Sequence, residues 1–159
     1  MRKLLVLLCG IVLLIGCAHK RVQTLAANFS CTFAGEYEGM AIEGELCREN
    51  AGTLSLGLTA PQSVKGLRFL CENGNVQILL DDLVYPTDEM LPVNALPTVL
   101  VSILDDLLQT DGATTQRGRT PAGDVYTAEM NAETGYILTL QSQGQFLLRL
   151  ENIQETEIR

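Results

Sequence analysis

The chain has 159 residues, 47% hydrophobic and 19% charged, and its 19 Asp and Glu against 11 Lys and Arg give a net charge of −8. That length supports one domain with a sizeable core, and the acidic balance excludes nucleic acid as a partner. With one histidine and no tryptophan, the composition also argues against a histidine-based catalytic triad and against an indole platform for carbohydrate.

Met1-Arg2-Lys3 precedes a run from Leu4 to Ile15 made only of Leu, Val, Ile, Cys and Gly. The run is too short to span a bilayer as a helix and the right length for the apolar region of a signal peptide. A buried helix would leave the charged start unexplained, and an ordinary cleaved signal would need no cysteine. Leu14-Ile15-Gly16-Cys17 closes the run and resembles a bacterial lipobox. The resemblance implies a signal peptide over residues 1–16, cleavage after Gly16, and a thioether-linked diacylglycerol on Cys17. The mature protein is then held in the cell membrane or outer membrane by acyl chains such as palmitate, facing the extracytoplasmic side. Ala18 permits an outer-membrane destination, where an Asp marks inner-membrane retention in some two-membrane bacteria. The mature part keeps all 19 acidic residues and nine of the basic ones, a balance of −10. Attachment is therefore expected through the anchor, without a basic patch. Residues 17–28 are polar, carry Lys20 and Arg21, and read as a tether with at most one turn of helix. A domain over 29–153 and a tail over 154–159 complete the division.

The first hairpin turns at Glu38-Gly39, which sets Tyr37 opposite Met40, Phe33 opposite Gly44 and Cys31 opposite Leu46. In that register Cys31, Phe33, Met40, Ile42 and Leu46 share one face, and Thr32, Glu36, Glu43, Glu45 and Cys47 share the other. Leu54, Leu56 and Leu58 alternate with small residues as a half-buried strand. Pro61 to Gly66 connects to a second hairpin at Asn73-Gly74, where Cys71 faces Val76, Phe69 faces Ile78 and Leu67 faces Leu80. An acidic loop follows, with Asp81, Asp82, Asp88 and Glu89.

Pro92 and Pro97 announce a change of period, with Asn94 as a candidate cap. Leu96, Leu100, Ile103, Leu104 and Leu107 recur at helical spacing, with Ser102, Asp105, Asp106 and Gln109 mainly opposite. Val99, Val101 and Leu108 widen the stripe, so the helix must plug a sheet or lie over a concave one. Strands are expected again near Ala113 to Gly118, Val125 to Met130, Tyr136 to Gln141 and Phe146 to Ile153, separated by turn-forming segments. The fold class is mainly β: about nine strands in meander order as a strongly curved antiparallel sheet or unclosed β-barrel, with one central covering helix.

From Phe29 to about Ile153 this pattern resembles the superfamily of Lol-type lipoprotein carriers and receptors. The resemblance rests on the order of elements, on Pro61 and Gly66 in a P-x4-G spacing, and on Asn131 with Thr134-Gly135 in N-x2-TG. It implies an unclosed barrel whose apolar concave face accepts acyl chains. The chain departs from the soluble carriers in lacking their substantial first helix. The anchor at Cys17 resembles the acceptor or free-standing members.

Chemistry-bearing constellations are few. His19 lies beside the anchor, outside the domain, and no zinc spacing, phosphate-cradling loop or dinucleotide fingerprint occurs, so no metal and no cofactor is expected. Asp105-Asp106 reads as a solvated pair, and the Asp81 to Glu89 stretch lacks the ligand pattern of a calcium loop. Cys31, Cys47 and Cys71 are odd in number and define no disulfide framework. What remains is apolar surface. Most of it reads as ordinary core, and a cavity beneath the helix would be lined by Phe33, Ile42, Leu56, Phe69, Ile78, Leu100, Ile103 and Leu104. The expected function is a non-enzymatic, membrane-anchored envelope lipoprotein binding a lipid or other apolar ligand. The alternative is a protein-interaction or structural envelope lipoprotein with a fully packed barrel and an envelope protein as partner.

Overall fold

A computed structural model describes residues 25–81, 83–87, 91–109 and 113–156. The signal segment, Cys17 and most of the tether lie outside these residues, as do Asp82, Asp88 and Glu89. Ten strands follow one another as β1 (Phe29–Tyr37), β2 (Met40–Arg48), β3 (Thr53–Ala60), β4 (Leu67–Glu72), β5 (Asn75–Leu80), β6 (Leu83–Thr87), β7 (Thr115–Arg119), β8 (Val125–Met130), β9 (Ile137–Ser142) and β10 (Phe146–Glu155). One helix, α1 (Leu96–Gln109), separates β6 from β7.

All ten strands form one antiparallel sheet in the order β6-β5-β4-β3-β2-β1-β10-β9-β8-β7. Two meanders, β1 to β6 and β7 to β10, meet where the first strand pairs with the last. Phe33 faces Leu150 and Tyr37 faces Phe146 along that seam. The sheet does not close into a barrel, because β6 and β7 remain its edges.

Both sequence-derived hairpins have the expected register. Tyr37 pairs with Met40, Phe33 with Gly44 and Cys31 with Leu46; Leu67 pairs with Leu80, Phe69 with Ile78 and Cys71 with Val76. Both residues of each turn take positive φ, at 49° and 80° for Glu38-Gly39 and 49° and 85° for Asn73-Gly74. That conformation matches the right-handed twist of the flanking strands. Gly44 is needed for a different reason: a Cβ there would meet the Phe33 ring at 2.6 Å, so the phenyl ring lies over bare backbone.

The core is the concave face. Phe29, Phe33, Ile42, Leu46, Leu54 and Leu56 come from the first meander, and Tyr126, Ala128, Ile137, Leu140, Leu148 and Leu150 from the second. Helix α1 seals the space between them with Leu96, Leu100, Ile103, Leu104 and Leu107 and packs chiefly on β3, β4 and β7. Leu25, ahead of β1, also reaches this core.

Two expectations change. The stretch read as an acidic loop contains strand β6, whose Leu83, Val84 and Tyr85 pair with Leu80, Leu79 and Ile78. Asn94 does not cap the helix with its side chain, because the first intrahelical bond runs from Val99 N–H to the Ala95 carbonyl at 3.0 Å. The Asn94 carbonyl instead accepts from the Gln145 amide at 2.8 Å and the Tyr37 hydroxyl at 3.4 Å, tying the start of the helix to two hairpin ends.

Candidate functional site: the concave face and its open apron

Cross-strand partners in an antiparallel sheet share a face. Leu56, Phe69, Ile78 and Tyr85 are therefore consecutive members of one row across β3, β4, β5 and β6. Exposure rises along it: Leu56 is 0% exposed, Phe69 and Ile78 are half-buried, and Tyr85 is 53% exposed. The neighbouring row, Leu67, Leu80 and Leu83, ends at 57% on Leu83. The helix covers the β3 end of these rows. Past β4 the same apolar surface continues uncovered among the described residues as an apron formed by β5 and β6.

The eight residues expected to line a cavity divide along that boundary. Phe33, Ile42, Leu56, Leu100, Ile103 and Leu104 are brought together and sealed in the core. Phe69 is half-buried at the margin, still packed against the core, and Ile78 lies beyond it on the apron. Beneath the margin of the helix there is a recess of about 80 Å³ lined by Gly52, Cys71, Gly74, Val76, Leu91, Thr98 and Val101. It is well short of the several hundred cubic ångströms that a drug-sized ligand occupies. Larger grooves, of about 350 and 370 Å³, lie on the convex face and are lined mainly by polar residues, among them Thr32, Glu45, Ser55, Arg68, Glu43 and Glu151.

Two carboxylates fix the helix over the concavity. Successive helical residues are rotated by about 100°, which places Asp105 and Asp106 on opposite shoulders of the apolar stripe. Asp105 accepts from the Arg48 guanidinium at 2.5 Å and from the Gly52 N–H at 3.2 Å, at the end of β2 and the turn beyond it. Asp106 accepts from the Tyr126 hydroxyl on β8. The pair keeps a solvent-facing side, with Asp106 exposed and Asp105 33% exposed, and it also anchors α1 to both meanders.

Arg48 is 1% exposed. Its Nε also donates to the Asn50 carbonyl at 3.3 Å, while Nη1 is buried without a partner. Burial lowers the Arg48 pKa, and the Asp105 charge opposes the shift. Burial, reinforced by Asp106, raises that of Tyr126. Gly118 makes room for this contact, since a Cβ there would lie 2.6 Å from both the Asp106 carboxylate and the Tyr126 hydroxyl oxygen. Among the described residues Cys31, Cys47 and Cys71 are free thiols. Burial pushes Cys31 up to about 12, with Cys47 adding to the shift, and Cys71 up to about 11. Buried and held protonated at neutral pH, Cys31 and Cys71 act as packing groups in the core.

Among the described residues no group of three or more His, Cys, Asp or Glu side chains converges to hold a metal, and no helix is long and apolar enough to cross a membrane.

No protein-family model and no curated protein matches the sequence. Solved structures do match the fold. A LolA-superfamily protein from Nitrosomonas europaea aligns with a TM-score of 0.53 at 7% identity, covering 88% of this chain and 91% of its own. An uncharacterised conserved protein from Thermus thermophilus aligns with a TM-score of 0.47 at 11% identity, over 88% of this chain and 85% of its own. The first likeness establishes a LolA-like fold.

Proposed function

We propose that this protein is a non-enzymatic cell-envelope lipoprotein, acyl-anchored at Cys17, that holds an apolar chain such as a lipid acyl group against the concave face of its sheet. The observation that carries the reading is the uninterrupted row Leu56, Phe69, Ile78, Tyr85, which starts in the sealed core and ends in the open. A monomeric domain that needed only a core would gain nothing from extending that face two strands beyond its covering helix. The LolA-like fold supports the same reading. Each methylene withdrawn from water contributes about 0.8 kcal/mol. Ten of them on the apron would contribute ~8 kcal/mol before the cost of association, which sets binding at micromolar strength or weaker.

The recess of about 80 Å³ favours the apron over the space beneath the helix as the place of binding. The packed interior also supports the second reading, an envelope interaction module whose apron docks a protein partner.

Titration with a fluorescent fatty-acid probe separates the two. The parent protein should bind the probe. Leu83→Asp and Tyr85→Asp should each weaken binding by tenfold or more, because an unpaired charge would face the chain. Leu147→Asp on the convex face should not. A parent that binds no acyl probe would leave the interaction module as the better account. The anchor is tested separately: Cys17→Ser should abolish metabolic fatty-acid labelling and release the protein from membranes.

A further inference from the structure

An unclosed sheet has two edges, and in this protein they differ in what their backbones offer. Residues of an antiparallel edge strand point their N–H and C=O groups alternately to the neighbouring strand and outward. In β6 the two-residue connection after Leu80 makes Leu80 and Leu83 the closing pair. Leu83, Tyr85 and Thr87 therefore bond inward, leaving Val84 and Pro86 outward. Proline has no N–H, so this edge offers a single outward donor and is blunted against strand addition.

The β7 edge carries no such block. Met130 N–H donates to the Thr114 carbonyl and Thr120 N–H donates to the Asp124 carbonyl, each at 2.8 Å. These bonds fix the even-numbered residues of β7 as the inward set. Thr115, Arg117 and Arg119 consequently turn three N–H and three C=O groups outward, and among the described residues no backbone hydrogen bond reaches them. Their side chains all stand exposed, on the face opposite buried Gln116. Two of the three are arginines, in a chain of net charge −8. The Arg119 guanidinium donates to the Gly123 carbonyl at 2.9 Å, which holds it beside the strand.

We propose that the β7 edge receives an extended segment of a partner protein as an added strand, one that carries acidic side chains at alternate positions facing Arg117 and Arg119. Backbone pairing supplies the attachment and the two arginines select the partner. A second copy of this chain fits poorly. Antiparallel self-pairing centred on Arg117 sets that residue against its own symmetry mate and each Arg119 opposite Thr115, and like charges directly opposed destabilise a sheet. The β6 edge of another copy offers one donor and no acidic residue within the strand. This site is distinct from the apolar apron and does not depend on it.

The test uses the full protein and a dye-labelled, end-capped ten-residue peptide alternating Glu with Val, followed by fluorescence anisotropy and amide hydrogen exchange. The expected result is saturable binding, with slowed exchange at the Thr115, Arg117 and Arg119 amides. Arg117→Glu should weaken it at least tenfold, and a peptide with Lys for Glu should not bind. Circular dichroism of the variant confirms that the loss is not unfolding. Absence of binding would overturn the proposal. So would binding without protection of those three amides, which would mean charge attraction alone, or protection at β6 instead. Sedimentation that shows dimers joined through β7 would overturn the assignment to a different protein.

Discussion

Arg48 is the residue on which the closed end of the concavity depends, since it places a cation in the core opposite a carboxylate that is 33% exposed. Removing the partner of a buried charge costs more than removing both. Asp105→Ala should therefore lower stability by ~2–3 kcal/mol, read as a shift of the urea midpoint, whereas Arg48→Met combined with Asp105→Leu should recover most of the loss. Additive single and double effects would show that the pair is not coupled. Arg48 was legible in part: the alternation that puts Ile42, Gly44 and Leu46 on the inner face reaches Arg48 at the next step. Its partner was not, because Asp105 and Asp106 sit at the margins of the helical stripe. A margin residue faces solvent or a wall according to how far the sheet curls, and sequence spacing carries no measure of curl.

The elements defined by turns were the most legible, since a two-residue turn fixes register without reference to the rest of the chain. Gly74 provides a clean check. A Cβ there would touch nothing within 4 Å, and φ is +85°, so the penalty for Gly74→Val comes chiefly from the backbone. It should destabilise the domain by ~1 kcal/mol or more, and an unchanged denaturation midpoint would contradict the turn. Strand β6 was hidden for the opposite reason. Leu83-Val84-Tyr85 has good strand propensity, but it is bracketed by Asp81-Asp82 and Asp88-Glu89 and followed by Pro86, all of which read as loop. An edge strand tolerates proline because half its backbone has no partner to lose. With β6 hidden, the apron is invisible in the sequence: Ile78 groups with the sealed residues only if the sheet ends at β5.

At the scale of the whole molecule, the packed concave face makes stability depend on alkaline pH through its thiols. Cys31 and Cys71 are held at about 12 and about 11 when folded, whereas an unfolded cysteine ionises near 8.5. Folded pKa values above the unfolded one mean that the stabilisation is complete below about pH 8.5 and lost as pH rises from there. Each thiol removes ~1.4 kcal/mol per pH unit until its folded pKa is reached. The urea midpoint should fall steeply between about pH 9 and 11, and the combined Cys31→Ala and Cys71→Ala variant, although less stable at neutral pH, should show a flatter slope. The seam between β1 and β10 has a consequence of another kind. It pairs Phe29 with Glu155, so the middle of the sheet is assembled from the two ends of the domain, a contact of very high sequence separation that slows folding. A chain that emerges N-terminus first, from a ribosome or through a translocation pore, would present β1 to β6 with an apolar central strand and no neighbour for its free side. Only when Phe146–Glu155 arrives can the native order form. The topology thus delays commitment until nearly the whole domain has emerged, and until then the half-built sheet must be shielded or remain unfolded.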